Sequence, residues 1–307
     1  MKFTIYQESR LGKRRNNEDR LAHCYSRDSL LMVIADGMGG HYYGEIAAQI
    51  AVQSMTESFQ READPKIRDP FSFINRTMLN AHSAILDFTK THNLADSPRT
   101  TCVVCLIQDG IAHWAHVGDS RLYMIRKSKV WVRTRDHSRV QLLIDQGIIS
   151  PAQAHTHPDR NKIYSCLGGG QNPKIELSHK TPLEAGDVIV LCTDGLWGLY
   201  SDEQLASALK HENLMKSVPN LMEHADLHGG NTHDNFSVVA VRWEDDYVES
   251  GDAYQPSIIE TQAMSLGAVT TRLDKFGRNP KYKSELSDEE IERTIEEIRS
   301  TIQKYSK

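Results

Sequence analysis

The sequence predicts an α+β fold in which two β-sheets pack together and two helices cover one sheet face. Residues 21–35 have the pattern of two short strands joined by a turn at Arg27-Asp-Ser29. Two helical patterns follow, one from Gly44 and one from about Pro70. From residue 100 to 133 the chain changes to short strands separated by turns, which is typical of two strand-rich regions that pack on each other.

The first helix is predicted over residues 44–59 and the second from about residue 70. Both assignments depend on apolar residues at steps of three and four, which place them on one helix face. In the first helix these residues are Ala47, Ile50, Ala51, Met55 and Phe59. In the second, which has the cleaner stripe, they are Phe71, Ile74, Met78, Ala81, Ile85 and Phe88.

A hairpin is predicted next, with strands over 101–108 and 111–117 around the turn pair Asp109-Gly110. Cys102 and Cys105 lie in the first of these strands, in a spacing that invites a zinc or redox interpretation. Residues three apart in a strand point to opposite faces, so both sulfurs cannot easily reach one ion. We therefore expect two core cysteines.

The rest of the chain is predicted in three parts. Residues 137–170 have a helical and loop-like pattern, and they are followed by strands at 174–179, 187–193 and 235–243 with a helix near 201–209. Residues 245–285 are polar and read as a linker, partly disordered. A capping box at Ser287 and an isoleucine stripe predict an amphipathic helix over 286–307, which either docks on the domain or binds a partner. The domain itself is predicted over 1–244.

Composition excludes several classes of protein. The 307 residues carry 36 basic and 41 acidic side chains, a formal charge of −5, so there is no global electrostatic case for nucleic-acid binding. No run approaches the length of a membrane span, and the first residues lack the apolar core of a signal peptide. The five cysteines are an odd number and predict no disulfide framework. We expect a soluble, cytoplasmic protein.

Acidic residues stand at the ends of several apolar strand patterns. Asp36, Asp119 and Asp194 each follow such a run, Asp234 opens the last strand, and Asp19 lies near the N-terminus. Carboxylates are costly inside a protein unless a charge compensates them, and oxygen ligands suit hard cations. The pattern predicts a sheet edge that gathers Mg²⁺ or Mn²⁺.

The order of the motifs carries more information than any one of them. Along the chain they are Arg14-Arg-Asn-Asn-Glu-Asp19, Ala35-Asp-Gly-Met-Gly-Gly40, Arg99-Thr-Thr101, Val117-Gly-Asp-Ser-Arg121, Cys192-Thr-Asp-Gly-Leu-Trp197 and Asp234-Asn235. In this combination, over about residues 5–243, the chain resembles the metal-dependent Ser/Thr protein phosphatases of type 2C in their bacterial form.

The resemblance implies a four-layer α-β-β-α sandwich of two antiparallel sheets, with residues 137–170 as a flap beside the cleft. It also implies two Mn²⁺ or Mg²⁺ ions and a weaker third. By position, Asp36 would bridge the two ions, the Gly37 carbonyl would ligate one of them, and Asp194 and Asp234 would complete the other shell. Glu18 and Asp19 would act largely through bound waters, and Asp119 would hold the third ion.

Arg14 matches the phosphate-binding arginine of that family, and its planar guanidinium suits a bidentate grip on phosphate oxygens. Met38 is a departure, because eukaryotic relatives have a histidine there that is proposed to protonate the leaving oxygen. Methionine has no proton to donate, so a metal-bound water is expected to supply it, with His41 as an alternative donor. Arg99 is a second departure, at a position where glycine is common.

The implied activity is hydrolysis of phosphoserine and phosphothreonine on proteins, in opposition to a bacterial Ser/Thr kinase. Two other functions remain open at this point. One is a silent phosphatase-like module that binds a phosphoprotein, although none of Asp36, Asp119, Asp194 or Asp234 is missing. The other is a phosphatase of the same broad family that acts on small molecules or on a phosphorylated partner-switch protein.

Overall fold

The fold is described from a computed structural model. It describes residues 1–38, 43–154, 156–210, 213–245 and 270–273. The strands in chain order are β1 (Phe3–Arg10), β2 (Asp19–Tyr25), β3 (Ser29–Met38), β4 (Arg99–Thr100), β5 (Cys102–Gln108), β6 (Ile111–Val117), β7 (Arg121–Arg126), β8 (Lys129–Arg133), β9 (Glu176–Leu177), β10 (Thr181–Pro182), β11 (Val188–Cys192), β12 (Phe236–Trp243) and β13 (Thr270–Leu273). The helices are α1 (Gly44–Glu62), α2 (Pro70–Thr91), α3 (Arg139–Asp145), α4 (Pro151–Ala154), α5 (Asp194–Trp197), α6 (Asp202–Ala208) and α7 (Leu214–His228).

The strands form two antiparallel sheets. One has the order β1-β12-β11-β7-β8, and the other has the order β10-β6-β5-β3-β2-β13, with β4 added to β3 and β9 added to β6. The first sheet joins the N-terminal strand to the last strand of the 1–244 segment through the register Phe3↔Trp243 to Arg10↔Phe236. This pairing brings the Arg14 segment close to Asp234.

Three apolar layers hold the sheets and helices together. The first lies between α1, α2 and the second sheet, the next lies between the two sheets, and the last lies between the first sheet and α6 and α7. Helix, sheet, sheet and helix therefore stack in that order. The predicted α-β-β-α sandwich is confirmed.

The best-predicted elements have clear local causes. In α2, Asp69 caps the helix by accepting a hydrogen bond from the Ser72 amide at 3.2 Å, and Pro70 occupies the first turn. The turn between β5 and β6 has positive φ at Asp109 and Gly110, +56° and +68°, as a tight hairpin of the primed type requires. α6 begins with a capping box formed by Ser201 and Gln204.

The two cysteines of β5 point to opposite sides of the sheet, as predicted. Cys102 packs in the layer against the helices and Cys105 packs in the layer between the sheets. Burial raises the pKa of both thiols. Both residues are therefore core residues, and they do not form a metal site with each other.

The elements that were not predicted from the sequence include β1 and α7. α7 contains Pro219, which removes one helical hydrogen bond and interrupts the helical signal. Its buried face nevertheless includes Val218, Leu221 and Met222, so packing against the first sheet stabilises it.

Most of the C-terminal segment lies outside the described residues. That includes the predicted helix over 286–307, while within the predicted linker the structure describes β13, which pairs with β2. The helices of the described residues include none that is long and apolar enough to cross a membrane.

Candidate metal centre

Six acidic residues gather at one end of the sandwich: Glu18, Asp19, Asp36, Asp119, Asp194 and Asp234. We call this group the acid cluster. Asp36 lies near the end of β3, directly opposite Asp19 at the start of β2. The antiparallel register of these two strands is therefore what brings two of the carboxylates together.

Hydrogen bonds with Thr100 in β4 and with Thr101 hold the backbone of Asp36 in place. Its amide donates to Thr101 Oγ1 at 3.0 Å, and its carbonyl accepts from the Thr101 amide and from Thr100 Oγ1, each at 2.9 Å. The Arg99-Thr-Thr motif thus positions Asp36 through its threonines. Arg99 itself is exposed and pairs with Asp96.

Asp19 is buried, and only one of its two carboxylate oxygens has hydrogen-bond partners among the described residues. Its Oδ2 accepts hydrogen bonds from Thr193 Oγ1 at 2.9 Å and from Ser237 Oγ at 2.7 Å. Its Oδ1 is buried and has no hydrogen-bond partner among the described residues. A buried carboxylate oxygen of this kind favours a cation as its partner.

Asp194 and Asp234 are brought together by the close contact of two loops. Asp194 begins α5, and a Cβ at the next residue, Gly195, would lie 2.1 Å from the Asn235 carbonyl oxygen. Only glycine allows this approach.

The side-chain amide of Asn235 ties the N-terminal loop to this site. Its Oδ1 accepts from the Glu18 amide at 2.8 Å, and its Nδ2 donates to the carbonyls of Leu11 at 2.8 Å and Asn16 at 3.0 Å. Three hydrogen bonds from one buried side chain therefore fix the loop that carries Arg14, Glu18 and Asp19. Asn235 belongs to one of the sequence motifs, but the motif did not predict this role.

Gly37 is required by backbone packing. A Cβ there would lie 2.3 Å from the Gly44 carbonyl at the start of α1 and 2.8 Å from the Glu18 carbonyl oxygen. Gly37 therefore lets β3, α1 and the Glu18 loop meet. Gly39, Gly40 and His41, also considered from the sequence, lie outside the described residues.

Asp119 follows β6 after a turn at Gly118, where φ is +99°. Its backbone carbonyl accepts a hydrogen bond from Trp197 Nε1 at 2.9 Å, and its Oδ1 is buried without a partner among the described residues. The Trp197 ring also covers the Arg121 guanidinium at 3.5 Å. This contact from α5 to the Asp119 turn was not predicted, because nothing in the local sequence signals it.

Arg14 lies at the edge of the cluster and is half exposed. Its Nη2 is 2.5 Å from Asp234 Oδ2. This hydrogen bond raises the pKa of the guanidinium, and burial partly opposes that effect. The arginine is therefore fully charged and stands at the entrance of the cluster.

The carboxylates raise one another's pKa. Burial, followed by nearby acids, raises the pKa of Glu18 and of Asp19 to about 7 and that of Asp194 to about 6. The same two causes, in the same order, raise the pKa values of Asp36 and Asp119 well above the usual range. So many acids cannot all ionise at neutral pH without bound cations.

The arrangement fits ions that share carboxylates and keep water in their shells. In the described part of the chain, no three of these acids bring ligand oxygens within 4.8 Å of one another. Mg²⁺ is usually bound through one or two carboxylates and retains several waters. The two unpartnered oxygens of Asp19 and Asp119 supply such ligand positions.

A separate group, His116, His137 and Glu176, has its ligand atoms within 4.8 Å of one another. The Gly118 amide donates to His137 Nδ1 at 3.3 Å, so the proton of that ring is on Nε2, which faces Glu176 at 3.4 Å. His116 donates from Nε2 to the Arg135 carbonyl at 2.7 Å. His137 has no free lone pair, which argues against a metal ion here.

Comparison with known proteins gives matches in both sequence and structure. The family model described as protein phosphatase 2C matches residues 6–229. The serine/threonine protein phosphatase PstP of Mycobacterium tuberculosis is 32% identical over 278 residues, which cover 87% of this chain and 52% of PstP. Protein phosphatase PhpP of Streptococcus pneumoniae is 32% identical over 244 residues, covering 76% of this chain and 95% of PhpP.

Among solved structures, the catalytic domain of PstP in complex with two manganese ions has a TM-score of 0.68 and 30% identity, covering 79% of this chain and 99% of that one. The chain spans about half the length of the PstP relatives that it matches. The family model covers well over half of the chain, and both named relatives exceed 30% identity. The chain therefore belongs to the protein phosphatase 2C family.

Proposed function

We propose that this protein hydrolyses phosphoserine and phosphothreonine on other proteins at a centre that holds two Mn²⁺ or Mg²⁺ ions. The observation that carries the proposal is the acid cluster, in which five carboxyl groups have raised pKa values and two buried oxygens have no hydrogen-bond partner among the described residues. Membership of the protein phosphatase 2C family and the likeness to a domain solved with two manganese ions support it.

In this proposal each acid has a distinct place. Asp36, the Gly37 carbonyl, Asp194 and Asp234 would hold the two ions. Glu18 and Asp19 would support them largely through water, and Asp119 would hold a weaker third ion.

When bound, two such ions supply an activated water and neutralise charge on the phosphoryl oxygens. Arg14 lies beside Asp234 with its guanidinium half exposed, so it can bind the phosphate of the substrate with two parallel hydrogen bonds. Asp234 orients the guanidinium before the substrate arrives. Met38 has no proton to give, so the proton for the leaving oxygen comes from water in the site.

The wider proposals rest on the family and, beyond residue 244, on the polar composition and helical pattern of the sequence. The domain comprises residues 1–244, with 137–170 as the flap, 245–285 as a linker and 286–307 as a helix that docks or binds a partner. The protein acts in the cytoplasm and opposes a bacterial Ser/Thr kinase whose targets are its substrates.

The test is release of phosphate from a phosphothreonine peptide with Mn²⁺, with a chelator, and after Asp194→Asn. We expect turnover that requires the metal and falls at least about a hundredfold in the variant, because the carboxylate of Asp194 is replaced by a weaker ligand. Asp226→Asn, at a half-exposed acid of α7 that is paired with Arg10, is the matched control.

Two outcomes would replace the proposal. Absence of phosphate release with every divalent metal tested would favour a silent phosphoprotein-binding module. Metal-dependent hydrolysis of small phosphate esters without hydrolysis of phosphopeptides would favour a small-molecule phosphatase.

A further inference from the structure

A cavity of about 690 Å³ opens beside the acid cluster. Asp119 and Asp194, two residues of that cluster, are among its lining residues. One wall consists of α3, α4 and the residues that follow α4, and the other runs from Trp197 in α5 to the start of α6. We call it the flap cavity.

Each wall of the flap cavity presents apolar side chains among polar and charged ones. Val140 and Ile144 line it from α3, and Pro151 and Ala154 line it from α4. Trp197, Leu199 and Tyr200 face them from the other wall, where each is only partly buried against the helix and sheet core. Apolar side chains on two facing walls are typical of a pocket that receives an apolar group.

Two arginines that line the cavity are already paired with carboxylates. Arg121 makes two hydrogen bonds to the Asp136 carboxylate, at 2.8 and 2.7 Å, and one to the Tyr123 hydroxyl at 2.9 Å. Arg133 pairs with Asp202 at 3.1 Å. These pairs offer little net charge to select a charged residue of a bound peptide.

The cavity is continuous with the proposed site of chemistry. Trp197 forms part of its wall, donates to the Asp119 carbonyl at 2.9 Å and stacks on Arg121 at 3.5 Å. A group that rests on Trp197 therefore lies next to the acid cluster. A peptide whose phosphorylated residue reaches Asp194 has to place neighbouring residues near this wall.

We propose that the flap cavity binds one large apolar side chain, of the size of Leu, Met or Phe, that flanks the phosphorylated residue of the substrate. This inference rests on the proposed phosphatase function and specifies its substrates. Phosphoproteins with an apolar residue close to the phosphorylated Ser or Thr are then preferred over those with a charged residue there.

The experiment compares phosphothreonine peptides that differ at one position, occupied by Leu, Ser, Asp or Lys and scanned through the neighbouring positions on both sides. The kcat/KM with Mn²⁺ is measured for each peptide and divided by that for para-nitrophenyl phosphate with the same enzyme. We expect Leu at one position to be preferred over Ser about tenfold, as is usual for an apolar pocket.

Ile144→Asp places a charge on the apolar wall and should reduce the Leu-to-Ser ratio to about one. Ile148→Asp is the matched control, because Ile148 is in the same segment but is 63% exposed and outside the cavity lining. It should leave the ratio unchanged. Circular dichroism shows whether Ile144→Asp unfolds α3. If it does, Ile144→Ser is a milder variant for the same test.

The inference is overturned if wild-type protein hydrolyses Leu, Ser, Asp and Lys peptides equally, if it prefers a charged residue, or if both Ile144 variants keep the wild-type ratio. In those cases para-nitrophenyl phosphate is still hydrolysed, and the phosphatase proposal stands. If wild-type protein hydrolyses neither the peptides nor para-nitrophenyl phosphate with Mn²⁺, the phosphatase proposal itself fails and the inference fails with it.

Discussion

The acid cluster and the flap cavity are adjacent, but their side chains are held in different ways. The acids are fixed by hydrogen bonds from distant parts of the chain, such as those of Thr193 and Ser237 to Asp19. The cavity walls include apolar side chains, such as those of Ile144 and Leu199, which are held by packing because they cannot form hydrogen bonds. A change in the first region should therefore impair all hydrolysis, while a change in the second should alter which peptides are hydrolysed.

The largest loss of activity from a change at the acid cluster is expected for Asn235→Ala. The variant removes three hydrogen bonds that hold the loop of Arg14, Glu18 and Asp19. We expect kcat/KM to fall about 10- to 100-fold, as when groups that support metal ligands are lost. The fall should be equal for phosphopeptide and para-nitrophenyl phosphate.

Asn213→Ala is the control for Asn235, because Asn213 precedes α7 and makes no capping hydrogen bond with its side chain. It should have little effect on either substrate. A much larger loss for the peptide than for para-nitrophenyl phosphate in Asn235→Ala would contradict the separation between the two regions.

An effect of intermediate size is expected on the thermal stability of the metal-free protein when the pH is changed. The folded protein holds protons on Glu18 and Asp19 up to a pKa of about 7 and on Asp194 up to about 6, well above the values of the unfolded chain. Their contribution to stability is complete below about pH 4 and is lost as the pH rises through about 6 to 7. The Tm of metal-free protein should fall by about 5 °C across this window.

Saturating Mn²⁺ should reverse that loss, because cations favour the ionised carboxylates. Asp19→Asn should flatten the decline in the metal-free protein, since the group that gives up its proton has been removed. Differential scanning calorimetry at several pH values measures both effects. A Tm of metal-free wild type that rises steadily from pH 5 to pH 8 would show that burial and neighbouring charge do not raise the pKa values of these acids.

The smallest effect is expected at the boundary between the two regions. Trp197→Phe removes the hydrogen bond to the Asp119 carbonyl but keeps an aromatic ring against Arg121. We expect kcat/KM for phosphopeptides to fall about threefold, consistent with the loss of one hydrogen bond. Hydrolysis of para-nitrophenyl phosphate should change less.

Trp131→Phe is matched to this variant, because Trp131 also stacks on an arginine, Arg126 at 4.4 Å, but is 53% exposed and lies outside the cavity. Steady-state kinetics on the two variants should separate them. Equal effects of both substitutions would show that Trp197 does not connect the acid cluster with the flap cavity.

Local patterns predicted much of the fold. The stripe of α2, the Asp109-Gly110 hairpin and the opposite orientations of Cys102 and Cys105 each depend on residues close together in the sequence. α7 was missed because Pro219 interrupts a helix that is stabilised by packing on the first sheet. Propensity is a weak guide where tertiary contacts decide.

The candidate site shows the same limit. The order of the acidic motifs predicted Asp36, Asp194 and Asp234 as neighbours, but it could not show that Asn235 reaches Leu11, 224 residues away, or that Trp197 reaches Asp119. These contacts depend on the pairing of β1 with β12 and on the stacking of the two sheets. Only the folded chain shows which polar groups support the acids.

The central claim, a centre for two divalent ions, is tested most directly by counting bound Mn²⁺ in equilibrium dialysis with wild-type protein and with Asp194→Asn. The account predicts two tightly bound ions per wild-type chain, with a third only at high concentration, and the loss of at least one tight ion in the variant. Wild-type protein that binds no Mn²⁺, or a variant that binds the same number with the same affinity, would contradict it.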